Sequence, residues 1–298
     1  MISDTLNAMY LLWPLTVAVI ILSILVGILV AFFVGSAVIA AAIGFWYLWT
    51  WLKDEGYLAA IWGVAEKQRT RFQENLAATF QMRGEVPKGP VLYIAHPHGL
   101  FSMAPFLHWA AGVTAWPADR PVRIAIHSIF FKIPIVRELM ESNGTIQATE
   151  STIRAALERG ESVALLTGGI QELQLTAVNR MRLVLKKRKG FLRIARDLKV
   201  PIIPVLTFGE NELFPPSRGP WIDFSQRCLK NWFGISIPVP TQESIVNWFT
   251  LLSAPLTPPV VTWVGPPILD PTHEKVVEAM SALYAKGRPE GWADLEIL

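Results

Sequence analysis

Two histidines flank a proline in His96-Pro97-His98-Gly99, between the apolar run Val91–Ala95 and a segment rich in Leu, Phe, Met and Ala from Leu100 to Ala111. An apolar run, turn residues and then a helical composition read as strand, turn and helix. In α/β folds, ligands collect at turns of that kind. Three chemistries suit a pair of histidines there. A metal would use the two rings of a His-x-His together, but it needs a third or fourth ligand. His108, His127 and His273 show no paired spacing, so no metal is expected. A turn whose rings satisfy backbone groups is the structural alternative. General base catalysis is the third: an imidazole with a pKa near ~6.5 takes the proton of an attacking alcohol. A carboxylate on the other ring nitrogen then fixes the tautomer and stabilises the imidazolium. Glu172 is the best candidate for that carboxylate.

The elements that must position these groups alternate in period. "PVRIAIHS", "GTIQAT", "SVALLT" and "VPIIPVLTF" read as strands. "IPIVRELMESNG", "STIRAALERG" (closed by Gly160) and "KGFLRIARDL" read as helices. Apolar strands alternating with helices predict an α/β domain with a mostly parallel sheet. The carboxyl ends of its strands then bring three glycine-bearing turns to one rim. They are His96–Gly99, Thr167-Gly168-Gly169-Ile170-Gln171-Glu172 and Phe208-Gly209-Glu210-Asn211-Glu212. Glu210 and Glu212 are read either as surface acids or as groups that position a substrate.

Composition points to a membrane. Of 298 residues, 52% are hydrophobic and 17% charged, with 12 Trp and a mean hydropathy of +0.36, too apolar for an ordinary soluble domain. Tyr10 to Leu52 is 43 residues without Asp, Glu, Lys, Arg or His. One straight helix of that length would far exceed a ~30 Å hydrocarbon core. A transmembrane helical hairpin broken at Gly35-Ser36 is expected, with Trp46, Tyr47, Trp49 and Trp51 at its rim. This divides the chain into a membrane anchor, residues 1–52, and a catalytic domain, residues 53–298. One span followed by an interfacial helix is the competing topology. A cleaved signal peptide is not expected, because no basic residue precedes the apolar run. Lys53, Lys67, Arg69 and Arg71 follow it, which places the larger domain in the cytosol by the positive-inside bias. Cys228 is the chain's one cysteine, so no intrachain disulfide forms.

The formal net charge is +3, with a dense basic patch at Arg180, Arg182, Lys186, Lys187, Arg188, Lys189, Arg193 and Arg196. No nucleic-acid motif accompanies it, so nucleic acid is not expected as a partner. Anionic headgroups or a phosphorylated cofactor fit better. Trp232, Phe233, Trp248, Phe249, Leu251 and Leu252 lie among prolines that break any long apolar helix. They read as an apolar skirt at the bilayer interface rather than a third span.

"HPHG", "GGIQEL", "KKRKGFLRIARDLKVPIIPVLTFGENELF" and "VVTWVGPPI" together resemble the membrane-bound acyl-CoA:diacylglycerol and monoacylglycerol acyltransferases of the second diacylglycerol-acyltransferase type, from about Val91 to about Ala285. The resemblance implies acyl transfer from acyl-CoA, a co-substrate rather than a tightly bound cofactor, to a glycerolipid hydroxyl at the cytosolic face of the endoplasmic reticulum. Lipid-droplet association and a homo-oligomer are compatible with it. Carried over by position, His98 is the base, Glu172 its partner and His96 a supporting member of the catalytic set. Gly99 and the helix start after it would donate to the oxyanion. Arg188, Lys189 and Gly190 would hold the coenzyme A phosphates. Gly168, Gly169, Asn211 and Glu212 complete the expected substrate-binding residues. Related glycerol-phosphate acyltransferases place an aspartate five positions after a histidine, where this chain has Phe101 and Met103, so the acid must come from elsewhere. Diacylglycerol is the expected acceptor, with monoacylglycerol or a long-chain alcohol as alternatives. A membrane metal hydrolase and a non-catalytic lipid-binding scaffold are the more remote readings.

Overall fold

The computed structural model of the chain describes residues 35, 36, 39, 66–85, 87–97, 99, 100, 102–110, 120–133, 136–233, 236, 239–251 and 253–298. The expected membrane anchor falls outside these residues except at Gly35, Ser36 and Ile39. Gly35 and Ser36, read above as the break of the hairpin, are helical. A helix tolerates one glycine at a cost of about 1 kcal/mol, so glycine alone does not end it. Among the described residues no helix is long and apolar enough to cross a membrane. The chain divides into two compact units, Met1–Glu66 and Lys67–Leu298, and the second carries the elements that follow.

In chain order these are α1 (Glu66–Thr79), β1 (Phe80–Arg83), β2 (Leu92–His96), α2 (Met103–Pro105) running into a π turn (Phe106–Ala110), β3 (Val122–Ile126), a 3-10 turn (Ser128–Lys132), α3 (Val136–Ser142), β4 (Ile146–Gln147), α4 (Glu150–Glu158), β5 (Ser162–Leu165) and α5 (Gly169–Leu175). They continue as β6 (Arg182–Leu183), α6 (Gly190–Leu198), β7 (Ile202–Phe208), α7 (Glu210–Leu213), α8 (Pro220–Phe233), α9 (Gln242–Leu251), β8 (Val260–Val264), α10 (His273–Gly287) and β9 (Glu296–Ile297).

Seven strands form one sheet in the order β1-β8-β7-β2-β5-β3-β4. Every pair in it is parallel except β7 with β8. The α/β expectation and the mostly parallel sheet therefore hold. Strand β2 lies between β7 and β5 and is buried along its whole length. Leu92 and Ile94 pack into one layer with Leu157, Leu192 and Met280. Tyr93 and Ala95 pack into the opposite layer with Ile124, Ile203 and Val205. A strand covered on both faces needs apolar residues at successive positions, which is why β2 and β7 read as continuous apolar runs.

Several local expectations change. The strand expected over Val91–Ala95 runs from Leu92 to His96, and that one-residue shift carries His96 into the sheet. The helix expected over Leu100–Ala111 starts at Met103, because Ser102 stands before it with left-handed φ of 54°. It gives way after three residues to the π turn. "GTIQAT" contributes two residues to an edge strand. Strands β1 and β8 are not legible as strands in the sequence, because Pro-rich sequence before β8 and the brevity of β1 hide their period.

Candidate active site

Strands β7, β2 and β5 are neighbours and parallel, so their carboxyl ends release the three glycine-bearing turns on one edge, as expected. His96 closes β2 and is 1% exposed. Its Nδ1 lies 2.6 Å from Glu172 Oε1 and its Nε2 lies 2.6 Å from Thr167 Oγ1. With Glu172 ionised, Nδ1–H donates to the carboxylate and Nε2 accepts from the threonine hydroxyl. Both ring nitrogens are thus engaged, and His96 clamps the end of β2 to the turn after β5. Glu172, 2% exposed, also accepts from the backbone N–H of Val184 through Oε1, at 2.7 Å.

Helix α5 positions this carboxylate. Glu172 lies in its first turn, where the helix dipole favours negative charge. Its side chain folds back over Gly168: a Cβ there would lie 1.9 Å from the carboxyl carbon. Gly168 is therefore required for the Glu172 rotamer, which gives the expected substrate-binding residue a packing role. Gly169 opens α5 with φ of 52°.

A second cluster surrounds Gly99. Glu210, directly after β7, is 5% exposed. It accepts from Met103 N–H through Oε1 at 3.0 Å and from Ala104 N–H through Oε2 at 3.1 Å. The Ser102 N–H also bonds to it. It is a helix cap supplied from another strand end, not a surface acid. The Met103 and Ala104 amides, which open the helix that follows Gly99, are held by this carboxylate. Gly99, with φ of 63°, is where a Cβ would lie 2.7 Å from Glu210 Oε1 and 3.6 Å from Asn211 Oδ1. Only glycine fits that approach. Asn211 is 6% exposed. Glu212 Oε1 accepts from Asn179 N–H at 2.7 Å, and burial pushes its carboxyl up.

Burial pushes the Glu210 carboxyl up to about 7 against the pull of its backbone N–H partners. Its folded pKa exceeds the ordinary 4.5, so the folded state holds the proton more tightly. Stability from this group is fullest below 4.5 and falls as pH rises toward 7. His108 acts in the opposite sense in part of that window, because burial pushes it down to about 4. Glu210→Gln isolates the effect. Relative to that variant, the unaltered chain should lose on the order of 3 kcal/mol of stability between pH 4.5 and 7, read by denaturant unfolding at each pH. Parallel pH profiles would contradict this.

His98 lies outside the described residues, as does its expected pairing with Glu172. Arg188, Lys189 and Gly190 are exposed at the start of α6, and the Arg188 guanidinium donates to Gln171 Oε1 on α5 at 3.3 Å. Not all of the basic patch remains for phosphate or lipid. Arg180 and Arg182 lie 3.7 Å and 3.2 Å from Glu296 carboxylate oxygens, and Arg193 pairs with Glu150. Lys186 to Lys189 form the exposed run. Among the described residues no group of three or more His, Cys, Asp or Glu is placed to hold a metal.

Sequence reasoning missed Thr167, the Val184 amide and the capping role of Glu210. The glycine pair after Thr167 was the available signal for the first, and nothing local marks the others. It also missed a buried chain in which His108 Nε2 meets Thr262 Oγ1 at 3.0 Å and Thr262 meets Thr207 at 3.0 Å. Burial pushes that imidazole down to about 4, which makes it a weak base, and Thr262 holds its Nε2.

Among known proteins, the chain is 29% identical over 225 residues to diacylglycerol O-acyltransferase 2B of Umbelopsis ramanniana, covering 67% of this chain and 64% of that protein. It is 31% identical over 210 residues to human acyl-CoA wax alcohol acyltransferase 1, covering 66% and 64%. It is 30% identical over 221 residues to diacylglycerol O-acyltransferase 2 of Dictyostelium discoideum, covering 67% and 66%. The chain thus spans slightly less than two thirds of these relatives' lengths. A solved structure, the 1-acyl-sn-glycerophosphate acyltransferase PlsC of Thermotoga maritima, superposes with a TM-score of 0.44 at 15% identity, covering 81% of this chain and 94% of that one. The model of the diacylglycerol acyltransferase family matches residues 38–286. That range takes in the His96–Glu172 clamp, the Glu210 cap and every strand from β1 to β8, and the chain belongs to the diacylglycerol acyltransferase family.

Proposed function

We propose that the chain transfers a fatty acyl group from acyl-CoA to a lipid hydroxyl, with diacylglycerol to triacylglycerol as the main reaction. The observation that carries this reading is the buried Glu172 carboxylate, fixed by His96 and Val184 at the sheet edge where the His96–Gly99 turn emerges. In the proposed step His98 takes the alcohol proton as the alcohol oxygen attacks the thioester carbon. The tetrahedral oxyanion collapses, the C–S bond breaks, and the imidazolium returns the proton to the departing coenzyme A sulfur. Glu172 holds one oxygen on His96, and its second oxygen is assigned to His98, where it fixes the tautomer. The exposed Lys186–Lys189 run, at the start of α6, is assigned to the coenzyme A phosphates.

Diacylglycerol O-acyltransferases among the relatives support the main acceptor. Two human wax alcohol acyltransferases at 31% identity support long-chain alcohols as the second acceptor class. The test is coenzyme A release by the purified chain, given acyl-CoA and in turn diacylglycerol, monoacylglycerol and a long-chain alcohol. Release that does not depend on any alcohol would remove the reading.

The lipid acceptor implies a bilayer surface, and we assign part of it to α9, whose Ser244 and Asn247 turn inward. Ser244 is buried and donates to the Pro215 carbonyl, and Asn247 Nδ2 donates to the Leu213 carbonyl at 2.7 Å. Ile245, Val246 and Phe249 face out, at 46%, 54% and 69% exposure. On α8, Trp221 and Phe224 are also exposed. Of the expected skirt, Trp248 and Phe249 are exposed, Leu251 is buried, and the side chains of Trp232, Phe233 and Leu252 lie outside the described residues. The endoplasmic reticulum, with this domain toward the cytosol, is the proposed location. Trp221→Asp/Phe249→Asp should raise KM for diacylglycerol presented in vesicles by roughly tenfold or more, given ~1.5–3 kcal/mol per buried aromatic side chain. Turnover of a water-soluble short-chain diacylglycerol should hold. An unchanged KM on vesicles would place the bilayer contact elsewhere.

A further inference from the structure

The turn that carries the candidate base is bordered by an acceptor with no donor. Asn211 Oδ1 is fully buried and has no hydrogen-bond partner among the described residues, in a residue only 6% exposed. Buried carbonyl oxygens are nearly always paired, because leaving water without a replacement donor is costly. Of the acceptors around it, Glu210 holds the Met103 and Ala104 amides and Glu172 Oε1 holds His96 and Val184, while Glu212 Oε2 is likewise buried without a partner among the described residues. The position of Asn211 is set by the fold. Gly209, with φ of 92°, turns the chain off β7 into α7, and β7 pairs with β2 up to His96 opposite Leu206. Oδ1 consequently lies 3.6 Å from where a Gly99 side chain would begin, beside the Glu210 carboxylate, whose Oε1 lies 2.7 Å from the same point.

We infer that Asn211 reads the substrate: its Oδ1 accepts a hydrogen bond from an N–H or O–H of a bound substrate, beside the turn that carries His98. The inference rests on the acyltransferase reading. Two substrate groups carry the required donor. One is the amide N–H of the pantetheine arm, two methylenes from the thioester sulfur. The other is the second hydroxyl of a monoacylglycerol. A diacylglycerol or a long-chain alcohol has no donor left once its hydroxyl faces the base. Asn211 would hold the thioester carbon, or the diol, in register for attack.

The test compares the unaltered chain with Asn211→Leu, which keeps the size and removes the acceptor. One arm uses a long-chain acyl thioester of N-acetylcysteamine, which keeps the amide, against the S-butyl thioester, which lacks it. The other uses monoacylglycerol against diacylglycerol. A site built around a hydrogen bond rejects the analogue lacking the donor, so the unaltered chain should favour the donor-bearing partner in one arm by about tenfold or more in kcat/KM. Asn211→Leu should bring that ratio close to one, and the arm in which it collapses identifies the donor. Its melting temperature should hold or rise, because the carbonyl it removes is unpaired in the free protein. Ratios unchanged by the substitution in both arms would overturn the inference. So would a variant that melts well below the unaltered chain, since Asn211 would then be structural. Turnover of acyl-CoA by the unaltered chain tests the acyltransferase reading separately.

Discussion

His98→Ala is expected to lower turnover by about 10²-fold or more at saturating acyl-CoA, the usual contribution of a positioned general base. An alcohol at neutral pH is a weak nucleophile until its proton has an acceptor, and His96 cannot substitute for the lost ring. Its two nitrogens are held by Glu172 and Thr167 at 2.6 Å each, and its ring is buried. KM for acyl-CoA should change little, because the binding groups assigned above lie on other turns. The measurement is product formation by protein shown to be folded. Turnover near that of the unaltered chain would remove His98 from the mechanism.

His96→Ala should act on the fold first. It deletes one partner of a buried pair whose side chains are 0% and 1% exposed, and removes the ring that shares Glu172 Oε1 with the Val184 amide. Leaving a buried acceptor without one of its donors costs about 1–3 kcal/mol, more when it is charged, a sizeable share of the roughly 5–15 kcal/mol that holds a domain together. Unfolding in denaturant should show the loss as a lower midpoint. Thr167→Val, which removes one hydroxyl partner, should cost about 1 kcal/mol. A His96→Ala variant as stable as the unaltered chain would mean that the pair does not hold the strand end. Losses in stability for His96→Ala and in turnover for His98→Ala would separate the roles of the two histidines.

Those two residues mark the limit of what the sequence made legible. Strands β2, β5 and β7 could be read because they are buried on both faces and so spell out apolar runs. The three turns could be read because glycine marks each of them. Which histidine enters the sheet depends on strand register, and a shift of one residue reverses the face on which a side chain lies. Glu210 reads in the sequence as a surface acid or a substrate-positioning group because its cap partners, Met103 and Ala104, lie more than a hundred residues away. That same contact moved the start of the following helix. The outward face of α9 was also hidden, since periodicity shows that a helix has two faces but not which one the domain covers.

The central claim is that Glu172 and His98 act as one unit, and kcat and KM for His98→Ala, Glu172→Gln and the double variant test it most directly. Glutamine keeps the shape at position 172 and removes the charge that stabilises an imidazolium. Glu172→Gln should therefore lower kcat far more than it raises KM for acyl-CoA. Once the base is absent its partner has nothing to orient, so the double variant should turn over little more slowly than His98→Ala alone. Losses that multiply independently would contradict the claim and restrict Glu172 to its clamp on His96.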